Sequence, residues 1–168
     1  YPDPGFGGNI RQTNTLVLGA KFETADYGDI PRLLIELDSE IKEYYGKRHQ
    51  ISVSEYIKHV ARVHHRITVI HPFSDGNGRM ARLWQTALLS EWNPVFQYLP
   101  LESRIQEFQD GYYDAIAACH VNGSFDAFIE FMLDKVNLTL DWALEQVSEK
   151  DSYLTEAVQN LISAMEYD

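Results

Sequence analysis

Apolar and polar residues alternate with a helical period along most of this chain. Leu33, Leu34, Leu37, Ile41, Tyr44 and Tyr45 recur at three- and four-residue intervals, which is one stripe of an amphipathic helix. Asp29 stands ahead of Ile30 and Pro31 as an N-cap, and Gly46 closes the segment. Ser52 with Glu55 makes a capping box for a second helix running to about Ile70, with Ile57, Val60, Ala61, His64 and Ile67 turned inward. A third pattern follows Gly78, with Met80, Leu83, Trp84, Ala87 and Leu88 at helical spacing. Breaks at Glu91–Pro94 and Tyr98–Pro100 precede a helix from Ser103 to about His120. After the turn Asn122-Gly123-Ser124 comes a helix over Phe125–Val147, with Phe128, Ile129, Phe131, Met132, Val136 and Leu140 largely inward. A last helix covers Ser148–Met165. One short stretch departs from this period. Thr15-Leu16-Val17-Leu18 is β-like, Gly19 can turn it and Ala20-Lys21-Phe22 returns, so a small hairpin is expected after the Pro- and Gly-rich residues 1–14.

Composition narrows the class. With 168 residues the chain fits one domain with a real core. A net charge of −11 argues against a nucleic-acid or anionic-membrane binder, because both need a positive footprint. The acidity is concentrated at the end, where residues 126–168 carry ten Asp/Glu against two Lys/Arg. The single cysteine, Cys119, excludes an internal disulfide and is compatible with a reducing, cytoplasmic setting. No apolar run is long enough to span a bilayer, and no signal-peptide pattern is present. The first residue is Tyr1, consistent with an excised domain or a chain lacking a disordered start.

The positive charge that remains is gathered where the chemistry is. His71-Pro72-Phe73-Ser74-Asp75-Gly76-Asn77-Gly78-Arg79-Met80-Ala81-Arg82 holds a base, a carboxylate, two glycines, an amide and two arginines. Pro72 biases His71 away from helical geometry, so the second helix should end there. Gly76 and Gly78 allow the backbone close to a ligand, and a glycine-rich loop opening a helix binds phosphate through its free N–H groups. Arg79 and Arg82, three apart, share a helix face and can fork onto phosphate oxygens. Asp75 suits Mg²⁺, which takes one or two carboxylates plus phosphates and waters. His71 can accept a proton near neutral pH. Each part also has an ordinary structural explanation, such as a turn, a solvated face or a packed histidine. It is their conjunction in one loop–helix junction that points to a phosphate site. His64 and His65 also raise a metal site with His71 and Asp75. Adjacent histidines point to different helix faces, however, which assigns His64 to the core and His65 to the surface.

This stretch resembles the signature of the Fic domain family, His-Pro-Phe-x-Asp/Glu-Gly-Asn-Gly-Arg-x-x-Arg, at all nine fixed positions. The resemblance extends over roughly residues 8–145. Gly8 and Arg11 resemble a Gly-x-x-Arg pattern ahead of the family's flap, and Arg104, Tyr112, Tyr113, Ala115 and Ile116 resemble a later Arg…Tyr-Tyr-x-Ala segment. It implies an all-α fold, a Fic-type helical bundle with a small β-hairpin flap at about residues 14–22. The Fic domain would cover 1–147, and 148–168 would be an additional, inhibitory C-terminal helix. The implied activity is protein adenylyltransferase: AMP passes from Mg-ATP to a Ser, Thr or Tyr hydroxyl of a target protein held at the flap. Removal of AMP is a further activity of some members.

Residue by residue, the resemblance makes His71 the base and Asp75 the Mg²⁺ ligand. Asn77 with the Gly76–Gly78 backbone would stabilise the α-phosphate, and Arg79 and Arg82 would hold the β- and γ-phosphates. Phe73 would be a buried anchor, and Tyr112 or Tyr113, here Tyr113, would touch adenine, with aromatic core packing as the competing assignment. Ser152…Glu156-Ala157 resembles an inhibitory pattern in which the Glu pairs with the second arginine, but has Ala where Gly or Asn is expected. An upstream inhibitory segment is the rival. Two other functions stay open: a nucleotide- or partner-binding module without catalysis, and transfer of a different phosphate-containing group.

Overall fold

The computed structural model describes residues 8–17, 20, 22–146 and 152–166. Among them are seven α-helices and no strand: α1 (Ile30–Lys47), α2 (Val53–Ile70), α3 (Asn77–Trp92), α4 (Leu101–Glu107), α5 (Gln109–Asn122), α6 (Asp126–Gln146) and α7 (Ser152–Glu166). Short 3₁₀ turns at Tyr27–Asp29 and Pro94–Gln97 lead into α1 and out of α3. No helix among the described residues is long and apolar enough to cross a membrane.

The bundle is organised around α2. Eleven of its eighteen residues are buried, which a surface helix with one apolar stripe cannot achieve. α1, α3, α6 and α7 all lie against it. By contrast α1 buries only Ile30 and Leu37. That difference corrects the expectation for His65. It is buried rather than on the surface, edge-on to the rings of Phe125 and Phe128, because helices cover α2 on more than one side. His59 is buried too, stacked on Tyr44 at 3.9 Å. Burial pushes His59 and His65 down to about 4, and His64 to about 3, so α2 carries three neutral imidazoles into the core. Val158 and Leu161 of α7 join the same core as Phe128, Met132 and Leu140 of α6.

Local signals set most helix ends. The Ser52 hydroxyl accepts from the Glu55 N–H at the start of α2. α1 begins differently from expectation. Asp26 caps the preceding 3₁₀ turn, the chain runs on from that turn in helical geometry, and the Asp29 carboxylate goes to Arg32 instead of capping. α1 also runs through Gly46 to Lys47. The helix expected over 103–120 is two helices, divided at Phe108, whose φ of −111° and ψ of 38° leave the helical region. Phe108 presents its ring to the Lys135 ammonium, 3.7 Å from the centroid, and this contact holds the bend. The buried face of α3 is Asn77, Ala81, Gln85, Leu88 and Leu89, whereas Leu83 and Trp84 are exposed. Small Ala81 lets α3 approach α2, and Gln85 must reach a buried partner there. Those two demands turn the helix away from its more hydrophobic stripe.

The hairpin expected at 14–22 falls partly on Leu18, Gly19 and Lys21, which lie outside the described residues. The described residues of that stretch form no ladder. Side chains join its limbs instead: Thr24 Oγ1 donates to the Thr15 carbonyl at 2.7 Å, and Asn14 Nδ2 donates to Asp26 at 2.9 Å. A lone two-stranded ribbon is marginal in water, so side-chain ties of this kind carry the loop.

Candidate active site

The end of α2 and the start of α3 face each other across residues 71–76. His71 caps α2 in the left-handed region, φ 50° and ψ 57°, with its N–H still bonded to the Ile67 carbonyl. It is the one non-glycine residue at positive φ among those described. A non-glycine residue there is uncommon, and histidine is among the few side chains enriched in that region. The turn throws the imidazole out of line with α2. Its Nδ1 lies 3.1 Å from the Thr68 carbonyl, which can only accept, so Nδ1 carries the proton and Nε2 keeps its lone pair. Burial holds this histidine below its ordinary 6.5. The Thr68 carbonyl opposes that shift, the Arg11 charge adds to it, and Asp75 works against it.

Gly76, at φ 85°, is the N-cap of α3 and has no side chain with which to cap it, and the N-terminus of that helix faces the loop. A substituent at Gly78 would meet the Arg82 guanidinium at 3.4 Å, which places that guanidinium over the first turn of the same helix. Asp75 accepts from the Gly76 N–H and lies 3.4 Å from Arg79, with both side chains largely exposed. Arg82 is more enclosed and pairs through Nε with Glu102 of α4 at 2.9 Å. Glu156 is exposed on α7. The carboxylate on Arg82 comes from α4.

Asn77 is buried, and both ends of its amide engage Phe73: Nδ2 donates to the Phe73 carbonyl and Oδ1 accepts from its N–H. It staples the loop, leaving one Nδ2 hydrogen and its own backbone N–H for an anion. Phe73 itself is half-buried, and Pro72 is the buried member of the pair. The loop is thus anchored by this backbone staple more than by the Phe73 ring. Tyr113 is half-buried on α5, edge-on to Tyr112.

Below the loop a buried relay links three helices. Gln85 of α3 meets His64 Nδ1, His64 Nε2 meets the Tyr112 hydroxyl at 3.0 Å, and that hydroxyl meets Thr68 Oγ1 at 3.1 Å. Thr68 Oγ1 also lies 3.0 Å from the His64 main-chain carbonyl, so its one hydrogen is shared between that carbonyl and the Tyr112 oxygen, while Tyr112 donates to His64 Nε2 and His64 Nδ1–H donates to the Gln85 side-chain carbonyl. Both His64 nitrogens are engaged, and His65 packs edge-on against the rings of Phe125 and Phe128. Among the described residues no group of three or more His, Cys, Asp or Glu is placed to hold a metal.

Arg11 is the residue whose role in the loop was not evident from sequence. It is 5 % exposed and reaches carbonyls on both sides of His71. A polar cleft between residues 8–13 and Ser74 opens beside it.

Comparison with known proteins agrees with this geometry. The chain is 30 % identical over 151 residues to the protein adenylyltransferase Fic of Aedes aegypti, covering 88 % of this chain and 28 % of that protein. It is 28 % identical over 173 residues to the protein of the same name from Drosophila mojavensis, covering 99 % and 32 %. The chain therefore spans about three tenths of the length of these relatives. The crystal structure of a Fic family protein from Desulfovibrio desulfuricans G20 superposes with a TM-score of 0.63 at 28 % identity, over 94 % of this chain and 48 % of that one. The Fic/DOC family model matches residues 2–89, from the Arg11 segment through the loop and α3, and the chain belongs to that family.

Proposed function

We propose that this domain is a protein adenylyltransferase that moves AMP from Mg-ATP to a hydroxyl side chain of a target protein. The observation that carries the reading is His71. Its Nδ1–H is pinned to the Thr68 carbonyl, so its free lone pair stands in the loop ahead of the N-terminus of α3. Base and anion site are thereby held by two adjacent helix ends. In the step, Nε2 takes the hydroxyl proton and the oxygen attacks the α-phosphorus. The bond from that phosphorus to the oxygen bridging to the β-phosphate breaks, and pyrophosphate leaves. Such transfers rest on positioning and fixed charge more than on covalent chemistry.

The residues present fit a magnesium nucleotide. Asp75 would hold Mg²⁺, which when bound neutralises charge on the phosphates. The Gly76–Gly78 backbone and Asn77 would face the α-phosphate, with Arg79 and Arg82 on the β- and γ-phosphates. Tyr113 would form a wall for the base. Residues 8–25 would present the target, along the cleft beside Ser74. Removal of AMP would use the same base and loop with water in place of the target hydroxyl. A cytoplasmic setting would suit the single buried thiol, Cys119.

The test is transfer of label from α-labelled ATP to protein in a lysate of the source cell, run beside the other three nucleotides. Label from ATP on discrete proteins is expected. Tight nucleotide binding by calorimetry with no transfer would favour a binding module instead, and label only from another nucleotide would move the domain to a different phosphate-containing group.

Glu102 should tune this activity. It competes with phosphate for Arg82 from a position that is 59 % exposed, and exposed pairs are worth about 0.2–1 kcal/mol. Glu102→Gln is therefore expected to tighten Mg-ATP binding by about 1.4- to 5-fold, read by calorimetry. Weaker binding would show that Glu102 orients Arg82 for phosphate rather than holding it back.

A further inference from the structure

We infer that Arg11 is a positioning residue for the base: its guanidinium holds His71 in the left-handed turn and couples that turn to the 8–25 segment. This rests on the adenylyltransferase reading for its kinetic consequences but not for its geometry. Nε donates to the His71 carbonyl at 2.7 Å, and Nη2 donates to the Ile70 carbonyl at 3.3 Å. Nη1 donates to the Thr13 carbonyl at 2.7 Å, and Nη2 also reaches the Ala25 carbonyl. The Arg11 backbone N–H bonds the Pro72 carbonyl at 2.9 Å, and the Ala25 N–H bonds the Val69 carbonyl at 2.9 Å.

One side chain thus satisfies the last carbonyls of α2 and both limbs of the N-terminal loop. A helix that ends in a left-handed residue normally uses glycine or asparagine there, whose carbonyl neighbours need no such clamp. Here the position must carry an imidazole, so the turn needs outside support. A forked cation at a helix C-terminus supplies it, matched to the dipole. Burying a guanidinium among carbonyls costs desolvation, visible in the lowered Arg11 pKa, for which burial is the first cause and Asp26 the opposing charge. A purely structural contact rarely justifies that cost when a smaller residue could fill the space.

The same charge faces the base. Arg11 from the N-terminal segment disfavours protonated His71, while the Thr68 carbonyl from α2 and Asp75 from the loop favour it. Removing the Arg11 charge should therefore raise the His71 pKa, and the acidic limb of the rate profile should move to higher pH.

The experiment compares Arg11→Met and Arg11→Lys with the wild type. Two readouts are used: labelled-ATP transfer, and ¹⁵N NMR of the His71 ring without nucleotide. The NMR readout needs no activity, so failure of this proposal and failure of the transferase reading can be told apart. Arg11→Met is expected to lower kcat by about tenfold to a hundredfold, the cost of a misplaced catalytic group, with KM for ATP little changed. Its His71 should titrate at higher pH than in wild type. Arg11→Lys should keep the wild-type titration but not the rate, because one ammonium cannot span four carbonyls. Should Arg11→Met fail to fold, Arg11→Lys and the wild-type spectrum carry the test. An unchanged kcat and titration in Arg11→Met would overturn the proposal. So would full activity in Arg11→Lys, or a wild-type His71 protonated at Nε2.

Discussion

Replacing His71 with alanine is expected to lower AMP transfer by about 10²–10⁴-fold while Mg-ATP still binds, because a positioned general acid or base contributes about that factor. The reasoning depends on which nitrogen acts. Nδ1 is committed to the Thr68 carbonyl, so only Nε2 is available to take a proton. Burial and the Arg11 charge keep the ring neutral as the pH falls toward its ordinary 6.5, which preserves the lone pair. Alanine removes the base but leaves a side chain at positive φ. His71→Asn is the better-matched control, since asparagine tolerates that region and has no base. Both variants should bind nucleotide by calorimetry with near wild-type affinity, because the proposed function assigns the phosphates to the start of α3 and Mg²⁺ to Asp75. More than about a tenth of wild-type transfer in either would assign proton abstraction to another group.

The motif loop was legible because all its parts are contiguous and each has a local physical meaning. Pro72 ends α2 where expected, at Ile70, and α3 opens at Asn77 behind a positive-φ glycine. The helices were legible where one stripe meets one neighbour. They were not where tertiary contacts chose between equivalent faces. On α3 the exposed Leu83 and Trp84 form the stronger stripe, yet Ala81 and Gln85 are buried because the polar partner of Gln85 is His64 of α2. At Phe108 itself neither glycine nor proline announces the break between α4 and α5, and the Lys135 ammonium lies over its ring there.

Long-range polar pairs were the least legible. Arg11 and the His71 carbonyl are separated by sixty positions, and although Gly8 and Arg11 resemble a family pattern, nothing local says that the guanidinium reaches the end of α2. Glu102 lies in the first turn of a short helix, between buried Leu101 and exposed Ser103, where a carboxylate is unremarkable near an N-terminus. Its pairing with Arg82 puts a carboxylate of α4 on that guanidinium, whereas Glu156 of α7 is exposed.

Replacing Phe128 with alanine is expected to cost about 3–5 kcal/mol of stability, since its ring is fully buried and helices hold every side of the cavity it would leave. For a domain of this size that is a fall in melting temperature of roughly 6–20 °C, measurable by calorimetry or circular dichroism. The ring stands 5.4 Å from His64 and from His65 and 5.7 Å from Tyr112, so it walls in the buried relay from the α6 side. Opening that wall admits water to imidazoles that the core keeps neutral, so they take up protons more readily in the folded variant, and the loss relative to wild type should shrink as the pH falls below the ordinary histidine range. The sign follows from their depressed folded pKa values, about 3 for His64 and about 4 for His65. Phe128→Leu keeps most of the volume and should cost much less. A loss under about 1 kcal/mol in Phe128→Ala would mean that the core collapses around the gap and the relay does not need this ring. Well below the melting temperature, transfer per folded molecule should change far less than in His71→Ala. Thr68 holds the base through its main-chain carbonyl, and that carbonyl is fixed by α2 itself rather than by the ring beneath it.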